Sequence, residues 1–134
     1  MGKEKRFSIV ERVKIYDTDA QGVVHYAGYY RFFTDTAEIF AEKFIGNYYS
    51  TDYPVWFVVV ESKASYHKPS YIGDKLRVEI LPKLISDKAI RFNFIISRGR
   101  VRICDGYIIQ VCISKKTWKA VTIPNEIKKK MKDW

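Results

Sequence analysis

The sequence predicts an α+β domain in which one long helix is wrapped by a curved antiparallel sheet of five or six strands. Two observations carry this: a single apolar-striped helical segment over residues 29–44, and strand-like segments on either side of it separated by turn residues. Size is the third. With 134 residues, 47% hydrophobic and 16% aromatic, the chain suits one domain over residues 1–134 with a real core, and is too apolar for a disordered polymer.

Phe7 to Tyr16 reads as the first strand, with Phe7, Ile9, Val13 and Ile15 on one face, Ser8, Arg12 and Lys14 on the other, and Glu11 interrupting the pattern. An irregular loop, Asp17 to Gly22, follows. The period then becomes helical: Tyr29, Phe33, Ala37, Phe40, Ala41 and Phe44 share a stripe, while Arg31, Asp35, Glu38 and Glu42 fall mostly on the solvent side and Gly46 supplies a stop. Strands are expected over residues 55–67, 75–81, 89–98, 100–114 and 117–123. In the second of these Leu76, Val78 and Ile80 alternate with Lys75, Arg77 and Glu79, so one face is buried and one is wet. Gly106 is expected to mark a bulge in the long strand over 100–114. Pro124-Asn125-Glu126 opens a short terminal helix. A sheet this small leaves an exposed edge, and pairing with a second copy covers it, so a homodimer is expected.

Charge narrows the partners. The chain has 24 Lys and Arg against 15 Asp and Glu, a net charge of +9, which suits nucleic acid, an acidic membrane surface or a phosphorylated small molecule. The clusters Lys128-Lys129-Lys130 with Lys132, and Arg98, Arg100 and Arg102 at a hairpin tip, read as solvated. Neither is interleaved with aromatics that could stack on bases, so no nucleic acid is expected. The longest apolar run, Val55 to Val60, is far short of the roughly 20 residues that cross a bilayer, and the charged start Met1 to Arg6 leads into no signal-peptide core. A cytoplasmic protein with no membrane span is the expectation. Cys104 and Cys112 lie eight residues apart in one strand, on the order of 26 Å, and cannot bridge. With His25 and His67 the only histidines and no close Cys/His spacing, no metal is expected.

The segment from Arg12 to Tyr29 is the place for chemistry. Asp17 and Asp19 sit in a loop just before a helix start, where they could serve as acid, base or nucleophile, with the first backbone N–H groups of the helix, near Tyr26 to Gly28, as donors to developing negative charge. Turn and capping chemistry explains the same residues equally well.

The pattern Asp17-x-Asp19-x-x-Gly22-Val23-Val24, then His25-Tyr26 and Tyr29, resembles the signature of the 4-hydroxybenzoyl-CoA thioesterase family, acyl-CoA thioesterases of the hotdog fold. Tyr66, Pro69, Gly73-Asp74 and Leu76 resemble the same family's second-to-third-strand junction. The resemblance implies hydrolysis of an acyl-CoA to free acid and CoA, with coenzyme A as part of the substrate and no other cofactor. It implies that Asp19 is the catalytic carboxylate, as nucleophile or as general base on water, and that the Tyr26 backbone N–H polarises the thioester carbonyl. Asp17 becomes a loop-shaping residue. Gly22, Val24, His25 and Tyr29 become substrate-binding residues, and Lys88, at the turn between the third and fourth strands, meets the CoA phosphates. Pairing of dimers into a homotetramer is also implied. Departures exist: Asp35 stands one place later than the acid of many relatives, and Glu38 is the nearest counterpart of a helix glutamate used by some hotdog thioesterases. His67 has no implied role. A non-catalytic acyl-CoA or acyl-carrier-protein binder on the same fold is the alternative reading.

Overall fold

The computed structural model describes residues 5–46 and 53–134, so Met1 to Glu4 of the charged start lie outside the described residues. Strand β1 spans Phe7–Arg12 and a short 3-10 turn covers Ile15–Asp17. Helix α1 runs Tyr29–Phe44, and the strands β2 (Val55–Tyr66), β3 (Lys75–Leu84), β4 (Ala89–Arg98) and β5 (Val101–Ser114) lead to α2 (Asn125–Asp133). The strands form one antiparallel sheet in the order β1-β3-β4-β5-β2, so β1 and β2 are its edges.

The helix lies against the inner face of the sheet for the reason its periodicity suggests. Phe32, Phe33, Ala37, Phe40 and Ala41 are buried against Leu76, Val78 and Ile80 of β3 and Ile90, Phe92, Phe94 and Ile96 of β4, with Phe33 stacked on Phe94 at 4.5 Å between ring centroids. Each large side chain so buried contributes about 1.5–3 kcal/mol. Thr36 is the one polar residue in the stripe, and its hydroxyl donates to the Phe32 carbonyl at 2.7 Å. Gly46 follows the helix end, its N–H donating to the Ala41 carbonyl. Cys104 and Cys112 are both free and buried.

Four expectations are corrected. The first strand stops at Arg12, because the Asp17 carboxylate accepts the Lys14 N–H at 2.8 Å and curls the chain into the 3-10 turn, leaving Ile15 exposed. Glu11 does not interrupt the strand; it continues the inward face of Phe7 and Ile9 and finds a cation there. Residues 117–123 form no strand: a turn after Ser114, with Trp118 at φ 60°, leaves a single bridge, Ile113 to Ala120, so the sheet has five strands. Gly106 marks no bulge, for its pairing with Ala64 and Phe94 is regular, and the irregularities fall at Val59/Glu61 and Ile96/Ser97. Its role is close approach, since a Cβ there would lie 2.1 Å from the Lys63 carbonyl oxygen.

Candidate functional site

The loop between β1 and α1 is held from two sides. On one side lies the segment 69–74: Val24 N–H donates to the Ser70 carbonyl, Ile72 N–H to the Gly22 carbonyl, and Val13 exchanges backbone bonds with Gly73 and Asp74. That segment is itself clamped by Arg98, which donates to the Asp74 carboxylate at 2.8 Å and to the Pro69 carbonyl at 3.1 Å. Arg98 is thus a structural clamp and not a solvated hairpin-tip charge.

On the other side stands Arg31. Its Nε and Nη2 donate to the two Asp17 oxygens, both at 2.6 Å, and its Nη1 reaches Asp35 at 2.7 Å and Glu11 at 3.2 Å. Asp17 is almost fully buried. Burial alone would push its carboxyl up, but the Arg31 guanidinium and the Lys14 N–H outweigh that and hold it below the usual carboxylate range. Glu11 goes the other way, raised by burial and by the neighbouring Asp35. Arg31 and Asp35, read from sequence as solvent-side, are therefore the centre of the ion network that fixes the loop to the helix. The Asp17 carbonyl also accepts the His25 N–H at 3.2 Å, so Asp17 shapes the loop with its backbone and its side chain alike.

Within that frame Asp19 closes the loop on itself. Its carboxylate Oδ1 accepts the N–H groups of Gln21 at 2.9 Å and Val23 at 3.4 Å, and its own N–H donates to the Val23 carbonyl. Gly22 takes φ +76°, a conformation that a side chain would strain. Asp19 itself is exposed.

Next to the loop is an open cleft of about 280 Å³ lined by Val24, Tyr26, Tyr29, Tyr66, His67, Lys68 and Pro69. Helix α1 starts at Tyr29, three residues later than the Tyr26 donor position requires for a helical residue, so Tyr26 lies in the preceding turn that Gly28 N–H closes on the His25 carbonyl. Tyr26 N–H has no hydrogen-bond partner among the described residues, while its carbonyl accepts the Tyr66 hydroxyl at 2.7 Å. Tyr29 is buried and forms a hydrogen bond of 2.8 Å with the buried Ser70 hydroxyl, and burial pushes its own hydroxyl up in pKa. At the rim, His67 Nε2 meets Asp105 Oδ2 at 2.7 Å.

Of the residues singled out from sequence, Val24, Tyr26 and Tyr29 line this cleft together. Asp19, Gly22 and His25 belong to the adjoining loop. Lys88 stands apart: it sits in the exposed β3–β4 turn, while the loop contacts the opposite end of β3, and ten residues of strand put about 30 Å between them within one chain. Glu38 is exposed, as its place off the helix stripe suggested. Tyr66, Ser70 and the His67–Asp105 contact were not read from sequence as site features. The signal available was the unusual polar density of Tyr66-His67-Lys68-Pro69-Ser70 directly after a strand. Neither cysteine is suited to nucleophilic work, since burial pushes the Cys104 thiol up to about 12 and the Cys112 thiol to about 11. No group of three His, Cys, Asp or Glu that could hold a metal ion occurs among the described residues, and none of the described helices is long and apolar enough to cross a membrane.

A family model described as the thioesterase-like superfamily matches residues 13–131, which include the loop, the helix and the cleft. The 1,4-dihydroxy-2-naphthoyl-CoA hydrolase of Nostoc punctiforme is 25% identical over 123 residues, covering 90% of this chain and 83% of its own. The enzyme of the same name from Prochlorococcus marinus strain NATL1A is 28% identical over 125 residues, covering 86% and 83%. Among solved structures, a 1,4-dihydroxy-2-naphthoyl-CoA thioesterase from Synechocystis superposes with a TM-score of 0.88 at 19% identity, covering 96% of this chain and 97% of that one, which carries the fold. These relatives and the family model bear out the coarser part of the resemblance read from the sequence, a thioesterase-like protein of the hotdog fold. On the match over residues 13–131 and on the five-stranded sheet folded over its helix, the chain belongs to the thioesterase-like superfamily, with the hotdog fold.

Proposed function

We propose that the protein hydrolyses the thioester of an acyl-CoA, with Asp19 and the Tyr26 N–H as its catalytic groups. The observation that carries this is the unspent Tyr26 N–H in a cleft directly beside the Asp19 loop, inside the segment that the superfamily match covers. A free backbone donor in the turn that leads into a helix is suited to the negative charge that builds on the thioester oxygen during attack. Asp19 supplies the carboxylate, either bonding the acyl carbon directly or taking a proton from water. Thiolate leaves readily, so no strong acid is demanded of the site.

The relatives' names point to aromatic acyl groups, and the tyrosine lining of the cleft by Tyr26, Tyr29 and Tyr66 suits a planar ring. Gly22, Val24 and His25 would shape the wall on the loop side. One observation favours the alternative of a non-catalytic acyl-CoA or acyl-carrier-protein binder: an Asp19 oxygen is already bonded to amides of its own loop. The test is release of CoA, followed with a thiol reagent, from aromatic, short-chain and long-chain acyl-CoAs. Asp19→Asn should slow hydrolysis by about 10³-fold while leaving the fold intact. Binding without turnover in the unaltered protein would instead establish the binder.

A second copy completes this reading. β2 is a twelve-residue edge strand with Val59 and Val60 more than half exposed, a hazard that pairing removes. Two copies related by a twofold axis pair the same strand antiparallel, which sets the β3–β4 turn end of one subunit toward the cleft end of its partner. Lys88 would then meet the CoA phosphates across the interface. Light scattering should report a dimer, or a tetramer of paired dimers, and Val60→Lys should shift it toward monomer.

A further inference from the structure

The contact of His67 with Asp105 is not explained by the needs of the fold. The backbone already closes the sheet at this point, with both His67 N–H and Lys68 N–H donating to the Ile103 carbonyl, at 2.8 and 3.3 Å. The side chains make an additional bond of 2.7 Å between partly exposed groups, at the rim of the cleft that holds the Tyr26 N–H. A carboxylate accepting from Nε2–H assigns the proton of the neutral ring to that nitrogen and leaves the lone pair on Nδ1. Nδ1 has no hydrogen-bond partner among the described residues. A carboxylate-oriented imidazole with one free nitrogen in a substrate cleft is the arrangement of a general base.

We infer that His67, oriented by Asp105, is the base that activates water in this cleft, dividing the labour with Asp19. This rests on the thioesterase reading above and sharpens it. The Asp19 carboxylate oxygen bonds the acyl carbon, and the C–S bond breaks with its electron pair leaving on sulfur. Water then adds to the acyl carbon of the resulting anhydride, its proton passing to His67 Nδ1. The bond from the acyl carbon to the Asp19 oxygen breaks and returns the carboxylate. His67 gives the proton to the CoA thiolate, so acid and thiol are the only products. Asp105 is a positioning residue, holding the ring and balancing the charge it acquires.

The charged and titratable groups around His67 are Asp105 and Arg102 from β5, with Arg102 at 3.8 Å from the Asp105 carboxylate, Tyr66 and Lys68 on either side in the chain, Tyr26 from the turn before α1, and Tyr29 from α1. Asp105 is the only acid in this set, and it touches the ring.

The experiment is steady-state hydrolysis of benzoyl-CoA and 1,4-dihydroxy-2-naphthoyl-CoA by the full chain across pH 5 to about 9, with circular dichroism on every variant. His67→Gln should lower kcat by about 100-fold with little change in KM, and should change the shape of the pH–rate profile. Asp105→Asn should lower kcat by about 10-fold, and the double variant should be no slower than His67→Gln, because Asp105 acts only through the ring. Added imidazole should restore part of the rate lost in His67→Gly. A wild-type protein that hydrolyses these substrates and a His67→Gln variant within twofold of it, with the same pH profile, would overturn the inference and leave the thioesterase reading standing. A wild-type protein that binds both substrates and releases no CoA would overturn the two together.

Discussion

At the end of the sheet that holds the loop, Arg31 faces three carboxylates, Asp17, Asp35 and Glu11, within 2.6–3.2 Å. At the other end, around the β3–β4 turn, Asp87 is 84% exposed and meets Lys128 at 3.3 Å, while Lys88, Lys116 and Lys119 stand in water. The first arrangement is one cation shared by three acids in a partly dry place; the second is surplus positive charge in a wet one. Coulomb energy at a few ångströms differs severalfold between such surroundings, so the first fixes geometry and the second contributes long-range attraction. The net charge of +9 is therefore poor guidance to the cleft, where His67 and Lys68 are the basic residues. The surplus positive charge and the candidate chemistry thus lie at opposite ends of one chain.

The contrast breaks most directly at Arg31. Arg31→Ala leaves Asp17 buried without its counter-charge, and a loss of about 3–5 kcal/mol in stability at neutral pH is expected, read by urea denaturation. The pH dependence should invert as well. In the wild type the Asp17 carboxyl lies below its unfolded value of about 3.9, so the unfolded state binds more protons in that window; this contribution is full above the unfolded value and is lost as pH falls through the folded one. Glu11, raised by burial, has the opposite sign and loses stability as pH rises through its own window. Without Arg31 both carboxyls would be governed by burial, and the variant should gain more stability on mild acidification than the wild type, in which Glu11 alone of the two gives a gain. An unchanged acid limb would show that the network contributes nothing.

Gly22 gives a smaller effect at the same end. With φ +76° and nothing within 4 Å of the position a Cβ would take, Gly22→Ala meets conformational strain alone, about 1 kcal/mol. Because Gly22 also accepts from Ile72 N–H, the same change should alter turnover more than stability if the loop geometry matters to Asp19. Equal effects on both would make the loop a purely structural device.

These differences mirror what could be read from sequence. Periodicity located α1 and the cores of β3 and β4 because apolar spacing reports which face is dry. It failed wherever a polar residue was buried by pairing: Glu11 looked like an interruption and Arg31 like a solvent residue, since the contacts of Arg31 with Glu11 and Asp17 join residues distant in the chain. The sixth strand failed for a local reason, as residues 117–123 have strand-like composition but no neighbour left to pair along their length. The loop was legible as a motif, whereas its contacts with Ser70 and Asp74 depend on a junction some fifty residues later. Tyr66 and His67 could be recognised as cleft residues only once β2 and β5 were in register.

The smallest effect belongs to the wet end. Lys88→Ala should leave stability within about 0.5 kcal/mol, as for exposed surface charges elsewhere. If Lys88 meets CoA phosphates across a dimer, the KM for an acyl-CoA should rise about threefold at low salt with kcat unchanged, and the difference should fade above roughly 0.3 M salt as screening shortens the reach of the charge. The monomeric Val60→Lys variant should be insensitive to Lys88, because within one chain the lysine and the cleft lie on the order of 30 Å apart, several Debye lengths at physiological salt. A Lys88 effect that survives in the monomer would show that the two ends act within a single chain.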